Sequence, residues 1–174
     1  MYERRRRAMQ LHDAQADLRE TVERYKSTVY SLIYARLKNK HEADDVFQET
    51  FLLYYQKTLS FENEAARKAW LIKTALNLCK RHDLSSWATK VERLSDDDSY
   101  AADFPLTDEE NDVLQAVLSL REKLRIPVYL YYYTGLSISE IAAQLGIGSG
   151  AVQVRLVRAR KELKNKLKGE YFNE

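Results

Sequence analysis

The chain has 174 residues, a formal net charge of +2, five glycines, two prolines and one cysteine. That length allows one large or two small domains, the few glycines and prolines disfavour a turn-rich all-β fold, and the single Cys79 excludes an internal disulfide and fits a reducing compartment. No apolar run approaches the roughly 20 residues that a membrane span needs, and no hydrophobic signal region follows Arg4–Arg7, so we expect a cytoplasmic protein with no direct membrane insertion.

The first 84 residues are predicted to form amphipathic helices, because apolar side chains recur at three- and four-residue steps. The first stripe contains Leu18, Val22, Tyr25, Val29, Leu32, Ile33 and Leu37, and the second contains Ala43, Val46, Phe47, Thr50, Phe51 and Tyr54. A break over residues 58–63 precedes a third helix, at about residues 64–84, in which Ala69, Ile72, Leu76 and Cys79 share a face. We interpret Cys79 as buried packing.

Two of these helices also carry polar faces. The second has an acidic face, formed by Asp44, Asp45, Gln48, Glu49 and Leu52, which repels DNA but suits a basic protein partner. On the third, Arg67, Thr74, Asn77 and Arg81 fall on one side, where cations and an amide can hold a nucleic-acid backbone and contact one strand. Trp70 could stack on an extruded base, although a tryptophan at helical spacing more often belongs to the core.

Periodicity fades between residues 85 and 106, and this segment is predicted to be a linker. Residues 85–112 carry nine acids against two bases, so the linker is acidic and suits either a solubilising tether or a shield for basic surfaces. Helices resume at Thr107–Glu110, which matches a capping-box pattern. Pro127 is expected near the start of the next helix, because an interior proline costs roughly 3 kcal/mol.

A break marked by glycine then predicts a helix-turn-helix, since four of the five glycines fall in one short stretch. Ser137 and Glu140 form a capping box, Gly146 suits the turn, and Ser149 is expected to cap the following helix. Residues 149–168 carry seven Lys or Arg against one acid. A basic helix after such a turn is typical of one that enters the major groove of DNA.

The basic helix has an apolar stripe and an opposite face that can contact bases. The stripe contains Val152, Leu156, Ala159, Leu163 and Leu167. On the other face Gln153 can bond adenine and Arg158 can bond guanine, while Val154 or Val157 can contact a thymine methyl. Phosphates suit Arg155, Arg160, Lys164 and Lys166. A solvated helix that only packs on its neighbours is the alternative interpretation.

Three segments resemble the extracytoplasmic-function (ECF) class of bacterial sigma factors in the sigma-70 family. Residues 42–51 (EADDVFQETF) are similar to region 2.2, and residues 69–79 (AWLIKTALNLC) are similar to regions 2.3–2.4. Residues 122–160, from EKLR through YYTGLS to RAR, resemble region 4. The segments follow the family's order and spacing over nearly the whole chain. Two departures are Leu120-Arg121, where the family usually has Leu-Pro, and a less charged DNA-contacting face at Gln153, Val154 and Val157.

The resemblance implies an all-α fold of two small helical domains joined by a flexible acidic linker. Residues 1–84 would be the region 2 helical bundle, 85–106 the linker and 107–174 the region 4 helix-turn-helix. It also implies a non-enzymatic subunit that directs core RNA polymerase to promoter DNA and needs no cofactor or metal. The implied partners are the β′ clamp coiled coil, the β flap and an anti-sigma factor that could hold the protein at the membrane.

The resemblance divides the expected site residues into three groups. Core polymerase would be bound by Asp44, Asp45, Gln48, Glu49 and Leu52. The −10 element would be contacted by Phe61, Asn63, Arg67, Trp70, Lys73, Thr74, Asn77 and Arg81. The −35 element would be contacted by Ser149, Gln153, Val154, Arg155, Val157, Arg158 and Lys161.

Three other functions make different predictions from this one. A helix-turn-helix regulator that acts without polymerase would bind specific duplex DNA tightly by itself. A helical interaction protein that never meets DNA would leave the region 2 similarity unexplained. An enzyme would need a nucleophile–base pair, a phosphate loop or zinc-ligand spacing, and the sequence contains none of these motifs.

Overall fold

The computed structural model describes the backbone of residues 2–57, 60–87 and 108–171, and the side chains of residues 13–57, 60–83 and 112–167. All regular secondary structure in these residues is α-helical: α1 (Tyr2–Leu37), α2 (Lys40–Lys57), α3 (Glu64–Trp87), α4 (Asp108–Ser119), α5 (Glu122–Tyr132), α6 (Ile138–Leu145) and α7 (Ser149–Tyr171). The chain divides into two compact units, Met1–Arg93 and Leu94–Glu174. The predicted all-α class with two helical units is confirmed. Most of the predicted linker lies outside the described residues.

The first unit is a bundle in which α1, α2 and α3 each pack against the other two. Its core takes most of the predicted apolar stripes, since Val29, Leu32, Ile33, Ala43, Val46, Ile72 and Cys79 are at most 1 % exposed. Leu71 and Ala75, which were in no predicted stripe, are also fully buried, whereas the predicted Ala69 is half-buried. The single α1 accounts for the whole first stripe, and α3 continues through Trp87, three residues beyond its predicted end. Within the described residues, no helix is long and apolar enough to cross a bilayer.

Side-chain caps fix the starts of α2 and α3. The Asn39 carboxamide accepts a hydrogen bond from the Glu42 amide at 3.0 Å. The Asn63 carboxamide accepts one from the Ala66 amide at 2.8 Å. Lys38, between α1 and α2, has a φ of +54°, a backbone conformation that non-glycine residues rarely adopt. These caps satisfy amides that have no partner inside the helix.

The second unit packs α4, α5 and α6 against α7. Leu120, Leu130, Ile141, Val152 and Ala159 form its centre and are at most 1 % exposed. Leu163 and Leu167, at the far end of the predicted α7 stripe, are only half-buried. Val113, in the second turn of α4, is exposed. The proposed Thr107 cap lies outside the described residues.

The helix-turn-helix forms where it was predicted, between α6 and α7. Ser137 and Glu140 make a full capping box, in which the serine hydroxyl accepts from the Glu140 amide and the Glu140 carboxylate accepts from the Ser137 amide. Gly146 ends α6 with a φ of +67°, a conformation that suits glycine because it has no Cβ. The turn therefore depends on local chemistry that is readable in the sequence.

Two local predictions in this unit were wrong. Pro127 lies inside α5 and not at its start; the ring is buried in the core, which offsets the intrahelical hydrogen bond that a proline cannot donate. Ser149 is the first residue of α7 and not its cap, because the Gly148 carbonyl already accepts the first helical hydrogen bonds, from the Ala151 and Val152 amides at 3.0 and 3.2 Å.

Candidate nucleic-acid and protein interfaces

The acidic face of α2 borders a groove of about 610 Å³ against α1. Its apolar lining comes from both helices, and its polar edge comes from α2. The lining residues are Leu18, Val22, Asp45, Phe47, Gln48, Glu49, Phe51, Leu52 and Tyr55. Leu52 is 53 % exposed, which is high for a leucine. An apolar groove with acidic edges can hold a basic, amphipathic protein element.

The groove brings together Asp45, Gln48, Glu49 and Leu52 from the predicted polymerase-binding set. Asp44 is placed differently, because its Oδ1 accepts a hydrogen bond from the Tyr30 hydroxyl at 2.8 Å. Sequence reasoning missed the contribution of α1 to this groove. Leu18 and Val22 belonged to the predicted apolar stripe of α1, which was the available sequence signal. Both are half-buried, so the stripe extends past the core and into the groove.

Arg67, predicted to contact DNA, belongs to a hydrogen-bond network that joins all three helices of the first unit. Its Nη1 donates hydrogen bonds to Asp17 Oδ1 at 3.0 Å and to Thr21 Oγ1 at 2.8 Å. The Tyr54 hydroxyl donates to Asp17 Oδ2 at 2.6 Å. Burial raises the pKa of Tyr54, and the hydrogen bond to Asp17 raises it further. The Arg67 side chain is only 20 % exposed, so its main contacts are internal.

Three aromatic rings meet beside Arg67. The Phe61 ring stacks on the Tyr54 ring with centroids 6.0 Å apart, and the Trp70 ring meets Phe61 edge-on at 6.1 Å. The Arg67 guanidinium lies 5.7 Å from the centre of the Phe61 ring. Phe61 and Trp70 are both half-buried, so part of each side chain is accessible.

The remaining residues predicted to contact the −10 element lie along α3 or just before it. Asn77 and Arg81 are exposed, while Lys73 and Thr74 are half-buried. Asn63 is exposed but its carboxamide caps α3. Arg81 Nη2 forms an ion pair with Glu49 Oε1 across α2 and α3. A residue predicted to bind DNA is thus paired with a residue predicted to bind polymerase.

The exposed face of α7 contains the residues predicted to contact the −35 element. Ser149, Gln153, Val154, Val157, Arg158 and Lys161 are exposed, and Arg155 is half-buried. Val154 and Val157 are 49 % and 59 % exposed. The opposite face buries Val152, Leu156 and Ala159. The helix therefore separates its core stripe from a surface that carries apolar, amide and cationic groups together.

The described side chains include no group of three or more His, Cys, Asp or Glu residues placed to hold a metal ion.

Two family models match the chain, and each falls largely within one unit. The model for sigma-70 region 2 matches residues 21–91, and the model for sigma-70 region 4 matches residues 110–163. The first match covers the α1–α3 bundle from the middle of α1, and the second covers the helix-turn-helix.

Curated relatives extend the similarity over most of the chain. The ECF RNA polymerase sigma factor SigW of Bacillus subtilis is 33 % identical over 171 residues, which is 90 % of each chain. The ECF RNA polymerase sigma-E factor of Escherichia coli is 30 % identical over 161 residues, which is 84 % of each chain.

Solved structures share the fold. The sigma factor RpoE of Bartonella quintana, solved with the anti-sigma factor NepR, matches with a TM-score of 0.69 and 22 % identity over 87 % of this chain and 97 % of that one. CnrH, solved with the cytosolic domain of CnrY, matches with a TM-score of 0.62 and 24 % identity over 91 % of this chain and 95 % of that one.

Proposed function

The chain belongs to the ECF RNA polymerase sigma factors of the sigma-70 family, and we propose that it brings core RNA polymerase to promoters through one DNA contact in each helical unit. In this proposal residues 1–84 act as region 2, residues 85–106 as the linker and residues 107–174 as region 4. The polymerase supplies the chemistry of RNA synthesis, and this chain selects where synthesis begins.

The groove between α1 and α2 is the proposed binding site for the β′ clamp coiled coil of the polymerase. Asp45, Gln48 and Glu49 give the groove a polar, acidic edge, and Leu52 gives it an exposed apolar contact. Charge complementarity steers association, and a central apolar contact contributes affinity. Asp44 supports this site indirectly, because its hydrogen bond with Tyr30 of α1 helps to hold α2 in place.

The exposed side of α3 is the proposed contact with the −10 element. Asn77 and Arg81 can hold the exposed strand, with Lys73 and Thr74 beside them. Opening a duplex requires compensation for lost stacking, on the order of 1.4 kcal/mol per step. The accessible sides of Phe61 and Trp70 can stack on an extruded base. Asn63 and Arg67 contribute by fixing the start of α3 and the loop before it.

The N-terminal half of α7 is the proposed reader of the −35 element. Helices of this kind present their first residues to base edges, which assigns base contacts to Gln153, Val154, Val157 and Arg158. Ser149, Arg155 and Lys161 suit phosphates on either side. The same unit would bind the β flap.

The observation that carries the proposal is the exposed α7 surface on a capped helix-turn-helix, in a chain whose other unit matches region 2. Run-off transcription with purified core polymerase and a randomised promoter library tests it. We expect initiation from a defined subset of promoters only when both proteins are present. Failure to initiate from any promoter with active polymerase would contradict the proposal.

The same experiment distinguishes a sigma factor from the alternative, a DNA-binding regulator that acts without polymerase. Such a regulator would bind a specific duplex tightly by itself and leave core polymerase unchanged. The acidic groove of the first unit does not favour this alternative, because an acidic surface repels DNA and suits a protein partner.

We also propose an anti-sigma factor as a partner and the cytoplasm as the location. Two solved structures with the same fold each contain another protein, NepR in one and the cytosolic domain of CnrY in the other. An anti-sigma factor would inhibit this chain by covering the α2 groove. A membrane-anchored one would hold the chain at the membrane until it is released.

A further inference from the structure

A basic cleft lies between the start of α5 and one side of α7. Its volume is about 840 Å³, and it is lined by cations from both elements. Arg121 and Lys123 come from the start of α5, and Arg155, Arg158 and Lys161 come from α7. Two of these five, Arg121 and Lys123, belong to no predicted DNA-contacting set, because they precede the helix-turn-helix in sequence.

The positive charge of the cleft is not neutralised by the part of the chain that the structure describes. None of the five cations forms an ion pair there, and only two acids, Glu122 and Glu162, share the lining. Cations held together in a concave surface create a field that attracts and concentrates anions. The chemistry of the cleft therefore favours a ligand with several negative charges.

The position of the cleft along α7 suggests which anion it binds. Gln153 and Lys161 are eight residues apart, so about 12 Å of helix separates them at 1.5 Å per residue. When Gln153 faces base edges, Lys161 therefore lies beyond those bases along α7, and the start of α5 lines the same cleft beside it. Backbone phosphates flank the bases on both sides of the major groove, which makes them the anions that a cleft beside the base-contacting residues meets.

We propose that this cleft holds backbone phosphates of duplex DNA beside the −35 element, with Arg121 and Lys123 as additional phosphate ligands. The inference rests on the proposed function of α7. Phosphate contacts fix the register and orientation of a protein on the duplex but carry no base information. The start of α5 also has no side-chain cap, and helix N-termini favour phosphate groups. The cleft thus sets the angle at which α7 enters the groove.

The test measures the affinity of the full chain for a duplex that carries its −35 site, between about 50 and 200 mM salt. The main variant is Arg121→Ala with Lys123→Ala. A charge-preserving variant, Arg121→Lys with Lys123→Arg, keeps both cations. Lys40→Ala, at an exposed position at the start of α2, is the control for a general loss of charge. Circular dichroism verifies that every variant is folded.

Each lost phosphate contact lowers the slope of log affinity against log salt by about 0.9. We expect the double alanine variant to reduce the slope by about 1 to 2 and to weaken binding equally to the −35 duplex and to a scrambled duplex. The charge-preserving variant and Lys40→Ala should keep the wild-type slope. An unchanged slope in the double alanine variant, or a loss confined to the −35 duplex, would overturn the proposal.

A second arm separates DNA phosphates from a small free anion. Inorganic pyrophosphate is titrated into the full chain at constant ionic strength and followed by NMR. Weak, unsaturated shifts support DNA as the ligand, and tight saturable binding that is lost in the double alanine variant overturns it. If the wild-type chain shows no preference for its −35 duplex, the proposed function of α7 fails, while the salt slopes still report on the cleft.

Discussion

Arg67 connects three helices that are far apart in sequence. Its guanidinium donates to Asp17 and Thr21 of α1, and Asp17 also accepts from the Tyr54 hydroxyl of α2. Burial keeps the pKa of Tyr54 above its usual value, and because even a free phenol keeps its proton at neutral pH, Tyr54 acts as a donor there. Removing Arg67 would leave Asp17 and Thr21 without their strongest partner. At the residue scale, this network holds α3 against α1 beside the predicted −10 surface.

We therefore expect Arg67→Ala to destabilise the first unit by about 1 to 3 kcal/mol, because partly buried acceptors lose a charged donor. Arg67→Lys should recover part of the loss. Both tryptophans of the chain, Trp70 and Trp87, belong to the first unit, so urea denaturation followed by tryptophan fluorescence isolates it. Arg81→Ala is the matched control, since an exposed ion pair contributes little. Unchanged stability in Arg67→Ala would contradict the structural role.

The sequence showed the stripe to which Arg67 belongs but not its partners. Arg67 shares a side of α3 with Thr74, Asn77 and Arg81, and helical spacing alone assigns all four to one surface. Asp17 lies 50 residues earlier, and no periodicity reveals which side chains meet across a bundle. The box of Ser137 and Glu140 was predictable because its partners are three residues apart. The assignment of Arg67 to the −10 contact stays a prediction.

At the scale of elements, glycine and proline had different predictive value. Gly146 lies where the helical pattern stops, and its positive φ is a local requirement that the sequence displays. Pro127 also looks like a boundary, but α5 begins five residues earlier, at Glu122. Burial of the proline ring is a tertiary effect, and tertiary packing overrides local preference. The end of α6 was thus predictable from local chemistry, while the start of α5 depended on packing.

The turn permits a test with two glycines that respond in opposite directions. A Cβ added at Gly146 or at Gly150 meets no atom within 4 Å, so neither substitution creates a clash. Gly146→Ala should cost about 1 to 2 kcal/mol because its φ of +67° is strained for alanine. Gly150→Ala, in the first turn of α7, should stabilise by up to about 1 kcal/mol.

Hydrogen exchange of the α6 and α7 amides in the full chain measures both changes within the second unit. Equal effects at the two glycines would show that φ is not the determinant of the turn.

The α2 groove is tested by replacing its polar edge. Gln48→Ala with Glu49→Ala should weaken binding to core polymerase about tenfold or more, since contacts at the centre of an interface dominate its affinity. Both side chains lie at the surface, so tryptophan fluorescence and circular dichroism should not change. Gln56→Ala, exposed on the same helix but absent from the groove lining, is the control. If the two variants bound core polymerase with equal affinity, the polymerase would have to bind a different surface of the chain.

At the scale of the molecule, each unit combines a helical core with its own interface chemistry. The second unit concentrates cations around α7, while the first presents an acidic groove and a separate side of α3 that is predicted to face DNA. These two surfaces of the first unit meet at the ion pair between Glu49 and Arg81. Periodicity predicted both surfaces, but the pair depends on how α2 and α3 pack, which the pattern does not specify. In the free chain, we therefore expect Glu49 to compete with DNA for Arg81.

Glu49→Gln should consequently raise the affinity of the free chain for a single-stranded −10 oligonucleotide. An exposed ion pair contributes about 0.2 to 1 kcal/mol, which corresponds to a gain of about 1.4- to 5-fold, and the gain should shrink as salt screens the pair. Glu23→Gln, another exposed acid of the first unit, controls for the change in net charge. In an Arg81→Ala background, Glu49→Gln should give no further gain. A gain that persists there would mean that Glu49 repels DNA directly, whereas the absence of a further gain would show that Glu49 acts through its ion pair with Arg81.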